Sequence, residues 1–219
     1  MNKDLWLKRI RNYAGFLGGL LPWLALFSAL LYDAIPGTLP AAFWKDFSIS
    51  ATYYCSPVLP AILTAASIVL MCYDGYSKLD NIVTTLSGVF GIMIVLFPCK
   101  CALISDYVGF FQCPVKISSI IHNTSATIFF LLLSFNALFL FTKHDGNMTE
   151  KKKQRNFIYR VCGIGMLLVL ILIPLPIHFY AKTWVVETIA LTFFALSWLV
   201  KGGAIESLND DEENEEEYE

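Results

Sequence analysis

Six runs of apolar residues, each near the length that a helix needs to cross a lipid bilayer, limit what this 219-residue chain can become. A spanning helix takes about 20 mostly apolar residues. Runs of that kind lie at roughly 12–32, 53–73, 82–104, 118–142, 157–177 and 183–201. Only 16% of the residues are charged, against about a quarter in soluble domains. The chain lacks the polar residues that a soluble fold needs over its outer faces. The expected fold class is therefore all-α: a polytopic bundle of six transmembrane helices filling residues 1–205. The lead "MNKDLWLKRIRNY" before the first run is only superficially like a signal peptide. Trp23 and Tyr32 stand where a cleavage site needs small residues, so the first run is expected to persist as a helix.

Orientation follows from lysine and arginine counts near the helix ends. With the N-terminus inside, the inner side carries Lys3, Lys8, Arg9, Arg11, Lys78, Lys143, Lys151, Lys152, Lys153, Arg155, Arg160 and Lys201. The outer side carries Lys45, Lys100, Lys116 and Lys182. Both termini are expected in the cytosol. The formal charge of −2 conceals this basic body, because Glu206 and the run "NDDEENEEEYE" hold half of the acids. Residues 206–219 are expected to form a disordered, solvated acidic tail. That tail is either a solubilising spacer or a contact for a basic protein partner. The loop "KHDGNMTEKKKQRN" reads as a topology signal that also suits anionic lipid.

On this topology Cys55, Cys99, Cys101 and Cys113 fall at the outer face, while Cys72 and Cys162 lie toward the cytosol. Four outer cysteines allow three pairings. A disulfide of Cys113 with Cys99 or Cys101 is favoured, since it closes the loop between the third and fourth runs. Zinc is the rival reading, but "CKC" is tighter than the usual knuckle spacing and no histidine lies in that loop. The glycosylation patterns at Asn123 and Asn147 fall in a helix mouth and on the cytosolic side, and neither is expected to be used.

Ionisable groups at membrane depth are costly and so become functional candidates. His122 lies about one turn into the fourth run, and Glu187 about one turn into the sixth. At 1.5 Å rise per residue both sit roughly 6 Å below the outer surface. Each continues a small or polar stripe: His122, Ser125, Phe129, Leu132, Asn136, and Glu187, Ala190, Phe194, Ser197, Lys201. Such stripes form helix seams in lipid. A direct Glu187–His122 hydrogen bond joining two helices is one expectation, and a ligand site around the pair is another. "FSISATYYCSP" before the second run crowds Ser48, Ser50, Thr52, Tyr53 and Tyr54 at the same level. Tyrosines belong in that interfacial belt, but the hydroxyls of Ser50 and its neighbours can line a common outer cavity. A nucleophilic triad of Ser50, His122 and Glu187 is chemically conceivable, although no G-x-S-x-G elbow supports it. On the inner side Asp80 is placed at the N-cap of the third run. Gly15 and Gly19, and Thr84, Ser87, Gly88 and Gly91, form small-residue packing faces.

The order of these features resembles the Frag1/DRAM/Sfk1 group of six-span membrane proteins and the DUF998-like bacterial proteins. The resemblance rests on Ile49-Ser50-Ala51-Thr52-Tyr53 before the second run, "H-x-x-x-A" from His122 to Ala126, and "W-x-x-E" from Trp184 to Glu187. "NFIYRVCGIGML" and "ETIALTFFALSWLVKGGAI" are similar to an uncharacterised bacterial membrane family. The resemblance implies a role in membrane-lipid homeostasis or lipid-anchor remodelling, a bacterial inner membrane, and importance for Ser50, Tyr53, His122 and Glu187. Ceramidase-like hydrolases need several histidines around zinc, whereas His122, His144 and His178 are far apart on different sides.

Three functions follow as expectations. The first is binding, sensing or remodelling of a lipid in an outer-leaflet cavity lined by Ser50, Tyr53, His122, Ser125 and Glu187. The second is a non-enzymatic scaffold or assembly subunit that uses the acidic tail. The third, a channel or proton-coupled carrier, is disfavoured because no chain of ionisable groups crosses the midplane. No cofactor, metal or nucleic-acid partner is expected.

Overall fold

The computed structural model describes residues 3–35, 38–104, 106–143, 148–176 and 179–210. His144, Asn147, His178 and the tail beyond Asp210 lie outside the described residues. The described residues are all-α apart from a two-residue ladder. Helix α1 (Lys3–Asp33) is followed by a short α2 (Ala41–Lys45) and a 3₁₀ turn over Ser50–Tyr54. Then come α3 (Val58–Met71), α4 (Lys78–Leu96), α5 (Val115–Phe135), α6 (Glu150–Leu172) and α7 (Lys182–Lys201). Strands β1 (Tyr107–Val108) and β2 (Cys113–Pro114) pair antiparallel between α4 and α5.

The six long helices run alternately up and down and close into a ring, each touching the next: α1, α3, α4, α5, α6, α7 and back to α1. One end of the ring carries Arg11, Tyr73, Lys143 and Lys201 and is called the basic end. The other holds α2, the 3₁₀ turn and the β1–β2 loop, and is called the loop end. The middle is filled by Phe129, Leu133, Met166, Phe194 and Trp198, all buried. Apolar side chains also cover the outside. Phe16, Leu20, Trp23, Phe27 and Leu30 on α1 are exposed. So are Phe157, Val161, Ile164, Leu168 and Ile171 on α6. Both series recur every three or four residues, and a helix face of that kind is solvated by acyl chains rather than water.

Among the described residues, five helices are long and apolar enough to cross a membrane: α1, α4, α5 with its continuation to Leu140, α6 and α7. α3 has only 14 residues, about 21 Å against a hydrocarbon thickness of about 30 Å. The expected run 53–73 is broken because residues 50–54 coil as a 3₁₀ turn and Pro57 sits at the N-cap of α3. α1 begins well before residue 12, since its amphipathic lead is helical too. α4 also starts early. Ser77, not Asp80, is its N-cap; Asp80 is the third helical residue of a capping box, with Ser77 N–H donating to Asp80 Oδ2 at 3.1 Å. α4 stops at Leu96 rather than 104, just before Pro98. α5 passes Phe135 into a π-helical turn, where the Phe141 N–H reaches back five residues to the Asn136 carbonyl.

Small residues let neighbouring helices approach closely, as the sequence suggested. A Cβ on Gly88 would lie 2.5 Å from the Ser67 carbonyl oxygen of α3, and one on Gly15 2.7 Å from Leu199 Cγ of α7. At the basic end, Arg11 is 5% exposed and donates from Nε and one terminal nitrogen to the Tyr73 hydroxyl at 3.2 and 3.1 Å. Its guanidinium also lies over the rings of Tyr73 and Tyr76. The ammonium of Lys201 sits over Tyr76 and Phe141. In the sequence Arg11 counts only toward orientation; the aromatic pair at 73 and 76 is the signal for its burial.

Candidate functional site

The segment from Ala41 to Cys55 folds as a cap over the loop end. Its backbone is irregular, and such backbone is tolerated at this depth only when protein partners satisfy it. α7 supplies many of them. The Ala181 N–H donates to the Lys45 carbonyl at 3.2 Å and the Trp184 N–H to the Phe47 carbonyl at 3.1 Å. One turn further along α7, Glu187 Oε2 accepts from the Ile49 N–H at 2.6 Å. The "W-x-x-E" spacing thus places two residues, one turn apart, against the 47–49 segment. The Trp184 ring adds contacts with Trp23 and Phe47. Within the cap, the Ser48 hydroxyl accepts from the Ala51 N–H and the Thr52 hydroxyl donates to the Ile49 carbonyl. These bonds set the 3₁₀ turn that presents Ser50.

The 49–50 segment is the meeting point. His122 Nε2 lies 3.0 Å from Ser50 Oγ, while Glu187 holds the adjoining Ile49 N–H. In place of the expected direct Glu187–His122 bond, the two side chains are joined through this piece of the cap, a knot with residues 49 and 50 in the middle. A serine nucleophile needs its histidine bonded to the acid, whereas here the other ring nitrogen faces the carbonyls of Phe97 and Ile94. His122 is 4% exposed. Its Nδ1 faces the carbonyl oxygens of Phe97 at 2.9 Å and Ile94 at 3.2 Å. The imidazole therefore caps the C-terminus of α4, where carbonyls lack helical partners. Tyr53 packs its ring against Tyr54 and the core. Ser125 is buried one turn below His122, away from the bonds that make the knot.

Around the knot the 97–104 loop is pinned to α5. Ser118 Oγ donates to the Pro98 carbonyl at 2.8 Å, and the Lys100 N–H donates to Ser119 Oγ at 2.7 Å. The Tyr54 hydroxyl donates to the Cys99 carbonyl at 2.7 Å. Burial first, then the neighbouring Glu187 and Cys101, push the Cys99 thiol up to about 12. A thiol held this high is protonated and a poor nucleophile at neutral pH. Cys99, Cys101 and Cys113 are all free thiols in this structure; the loop that a Cys113 disulfide would close is held instead by the β1–β2 ladder and the Val115 N–H to Asp106 carbonyl bond. Among the described residues, no group of three or more His, Cys, Asp or Glu is arranged to hold a metal.

Two cavities flank the knot. One of about 650 Å³ lies between the 100–104 loop and the first turns of α5, lined by Lys100, Ile104, Lys116, Ser119, Ile120 and Asn123. The other, about 310 Å³, is walled by Phe43, Asp46, Ser48, Ala51 and Lys100. In the sequence Lys100 and Lys116 count only as outer charges, and the groove is not evident. Its signal is the pattern 116, 119, 120, 123, which puts a base, a hydroxyl, an apolar group and an amide on one face of α5.

With five apolar helices of spanning length, the chain is an integral membrane protein of the helical type. No protein-family model, curated protein or solved structure matches it.

Proposed function

We propose that the protein binds an anionic membrane lipid in the groove beside α5. The observation that carries this reading is the groove's lining. Lys100 and Lys116 provide two cationic groups at one end, Ser119 and Asn123 provide hydrogen-bonding groups, and Ile104 and Ile120 provide an apolar wall. An anionic headgroup matches the lysines and an acyl chain matches the isoleucines. The knot serves this site by fixing its floor: His122 ties the end of α4 to α5, and Ser118 and Ser119 tie the 98–100 backbone to the same helix. The bias of basic residues toward the other end supports an orientation with the groove in the outer leaflet and both termini in the cytosol. In that orientation α3, extended by the 3₁₀ turn, makes the sixth crossing. Membership of the Frag1/DRAM/Sfk1 and DUF998-like group, a bacterial inner membrane, and a basic protein partner for the acidic run beyond Asp210 belong to the same proposal.

The test is lipid retention by the purified full-length protein, read by native mass spectrometry after exchange into mixed phosphatidylglycerol and phosphatidylcholine. Each lysine near an anionic lipid contributes about 1 kcal/mol. The double variant Lys100→Gln/Lys116→Gln is expected to lose roughly thirtyfold in preference for the anionic lipid. Undiminished preference in the folded double variant would overturn the proposal.

A further inference from the structure

Residues 203–210 turn back from the end of α7 onto the start of α6. Gly203 makes the turn at a φ of 74°, a conformation that costs glycine little. Asn209 Nδ2 donates across the turn to the Gly203 carbonyl at 3.0 Å, and Ile205 and Leu208 pack against the core. Side chains at the N-terminus of α6 then hold the segment. Lys151 donates to the Ser207 carbonyl, Arg155 to the Leu208 carbonyl at 2.6 Å, and the Thr149 hydroxyl to Asp210 Oδ1 at 2.6 Å. Arg155 also pairs with Asp210 Oδ2. Thr149 is the N-cap of α6, so the Asp210 carboxylate is fastened at the positive end of that helix's dipole.

The bases beside this anchor outnumber their acids. Lys143 pairs with Asp80 and Lys153 with Glu150. Among the described residues, the partners of three other ammonium groups are neutral. Lys151 bonds to the Ser207 carbonyl, Lys152 to the Phe141 carbonyl at 3.3 Å, and Lys201 rests on the rings of Tyr76 and Phe141. Phe141 thus touches both Lys152 and Lys201, and like charges gathered on one residue repel unless an anion joins them. The run that follows the anchor carries Asp211, Glu212, Glu213, Glu215, Glu216, Glu217 and Glu219, with no base among them. An extended run from 211 to 219 reaches about 30 Å, whereas Lys151 and Lys152 lie within one turn of Thr149.

We infer that the acidic run 211–219 docks on this basic face of its own chain, continuing from the Asp210 anchor over Lys151 and Lys152 toward Lys201. Docked there, its carboxylates supply the missing counter-charge and gain from the α6 dipole. The same contact keeps these lysines from anionic headgroups in the leaflet at the basic end, where each free lysine would otherwise attract them. A basic protein partner competes with the lysines for the acids, so capture of the run and exposure of the basic face are one event. The clasp lies at the opposite end from Lys100 and Lys116 and does not depend on the lipid groove.

The first test is zero-length carbodiimide crosslinking of the full-length protein in nanodiscs, with ¹⁵N-labelled and unlabelled chains mixed. Carboxylates of 211–219 are expected to join Lys151 or Lys152 of the same chain. Crosslinks spread evenly over all lysines of the basic end, crosslinks only between chains, or none at all overturn the inference. The second test reads retained phosphatidylglycerol by native mass spectrometry. A variant with Asp211→Asn and with Gln in place of the other six acids of the run keeps the 203–210 anchor. It is expected to retain this lipid roughly thirtyfold better than wild type, the effect of freeing two lysines. Adding Lys151→Gln and Lys152→Gln should remove the gain. Unchanged retention in the amide variant, or a gain that persists without the two lysines, overturns the inference equally.

Discussion

Replacing His122 in three ways separates its two bonds. Nδ1 and Nε2 face different helices: Nδ1 holds the carbonyls of Ile94 and Phe97 at the end of α4, and Nε2 holds Ser50 in the cap. His122→Asn keeps a short amide that can still donate near the Nδ1 position, but it cannot reach Ser50. His122→Gln places its amide farther out and favours Ser50 over the carbonyls. His122→Phe removes both. A buried acceptor left without a partner costs about 1–3 kcal/mol, and an ordinary hydrogen bond contributes about 1 kcal/mol. One Nδ1 hydrogen serves two carbonyls, so loss of the α4 cap is counted once, at about 2 kcal/mol. The expected order is a loss of about 1 kcal/mol for Asn, about 2 for Gln and about 3 for Phe. For a chain of this size, where 1 kcal/mol moves Tm by about 2–4 °C, the Phe variant should melt roughly 6–12 °C lower. The assay is thermal unfolding in one detergent, with exchange of the 94–100 amides as a local readout. If the three variants melt within a degree or so of wild type, or if Asn is as damaging as Phe, the capping argument is wrong.

Two further predictions concern the basic end. Asp80 is 4% exposed, closes the α4 capping box, and pairs with Lys143 at 3.0 Å. Asp80→Asn, which keeps a capping oxygen, is expected to cost about 1 kcal/mol and Asp80→Ala about 2–3 kcal/mol in the same melting assay. Asp210 ends the described chain, bonded by Thr149 and Arg155. Burial raises its pKa, but those two bonds outweigh it and hold the carboxyl below its ordinary range. A depressed folded value stabilises docking above the ordinary aspartate pKa and loses that contribution as pH falls through the folded one. Exchange protection of residues 203–210 should therefore persist at neutral pH and fade in acid below about pH 4, and Arg155→Gln should abolish most of it at any pH.

Hydropathy located the long elements because lipid imposes one dominant condition, a continuous apolar length, that a single sequence displays. It misplaced their ends, because ends are set by local chemistry that hydropathy ignores. The lead of α1 is amphipathic and still helical, Ser77 rather than Asp80 starts α4, and Pro57 shortens α3 to fourteen residues. Helix depth puts His122 and Glu187 near one level but does not show what joins them, since residues 49 and 50 are delivered by a segment shaped through bonds from Phe47 to Trp184 and from Ile49 to Glu187. Those partners are more than a hundred residues apart. The groove was hidden for a related reason: Lys100 and Lys116 become neighbours only when Ser118 and Ser119 fold the 98–100 backbone against α5.

The chemistry of the two ends differs in kind. At the basic end, Arg11 and Lys201 rest on the faces of Tyr73, Tyr76 and Phe141, an arrangement that seats basic side chains on aromatic rings. At the loop end, Glu187 and His122 hold one segment of the cap through the Ile49 N–H and the Ser50 hydroxyl. Between the two ends lie Phe129, Leu133, Leu191, Phe194 and the indole of Trp198, which are buried and packed as one cluster. Ser125, Ser134, Asn136 and Ser197 are buried as well; Ser134 donates to the Gly163 carbonyl of α6, and Ser197 to the Phe194 carbonyl of its own helix. Hydroxyls of this kind fasten helices to one another, or turn inward on their own backbone, where no water is at hand to satisfy them.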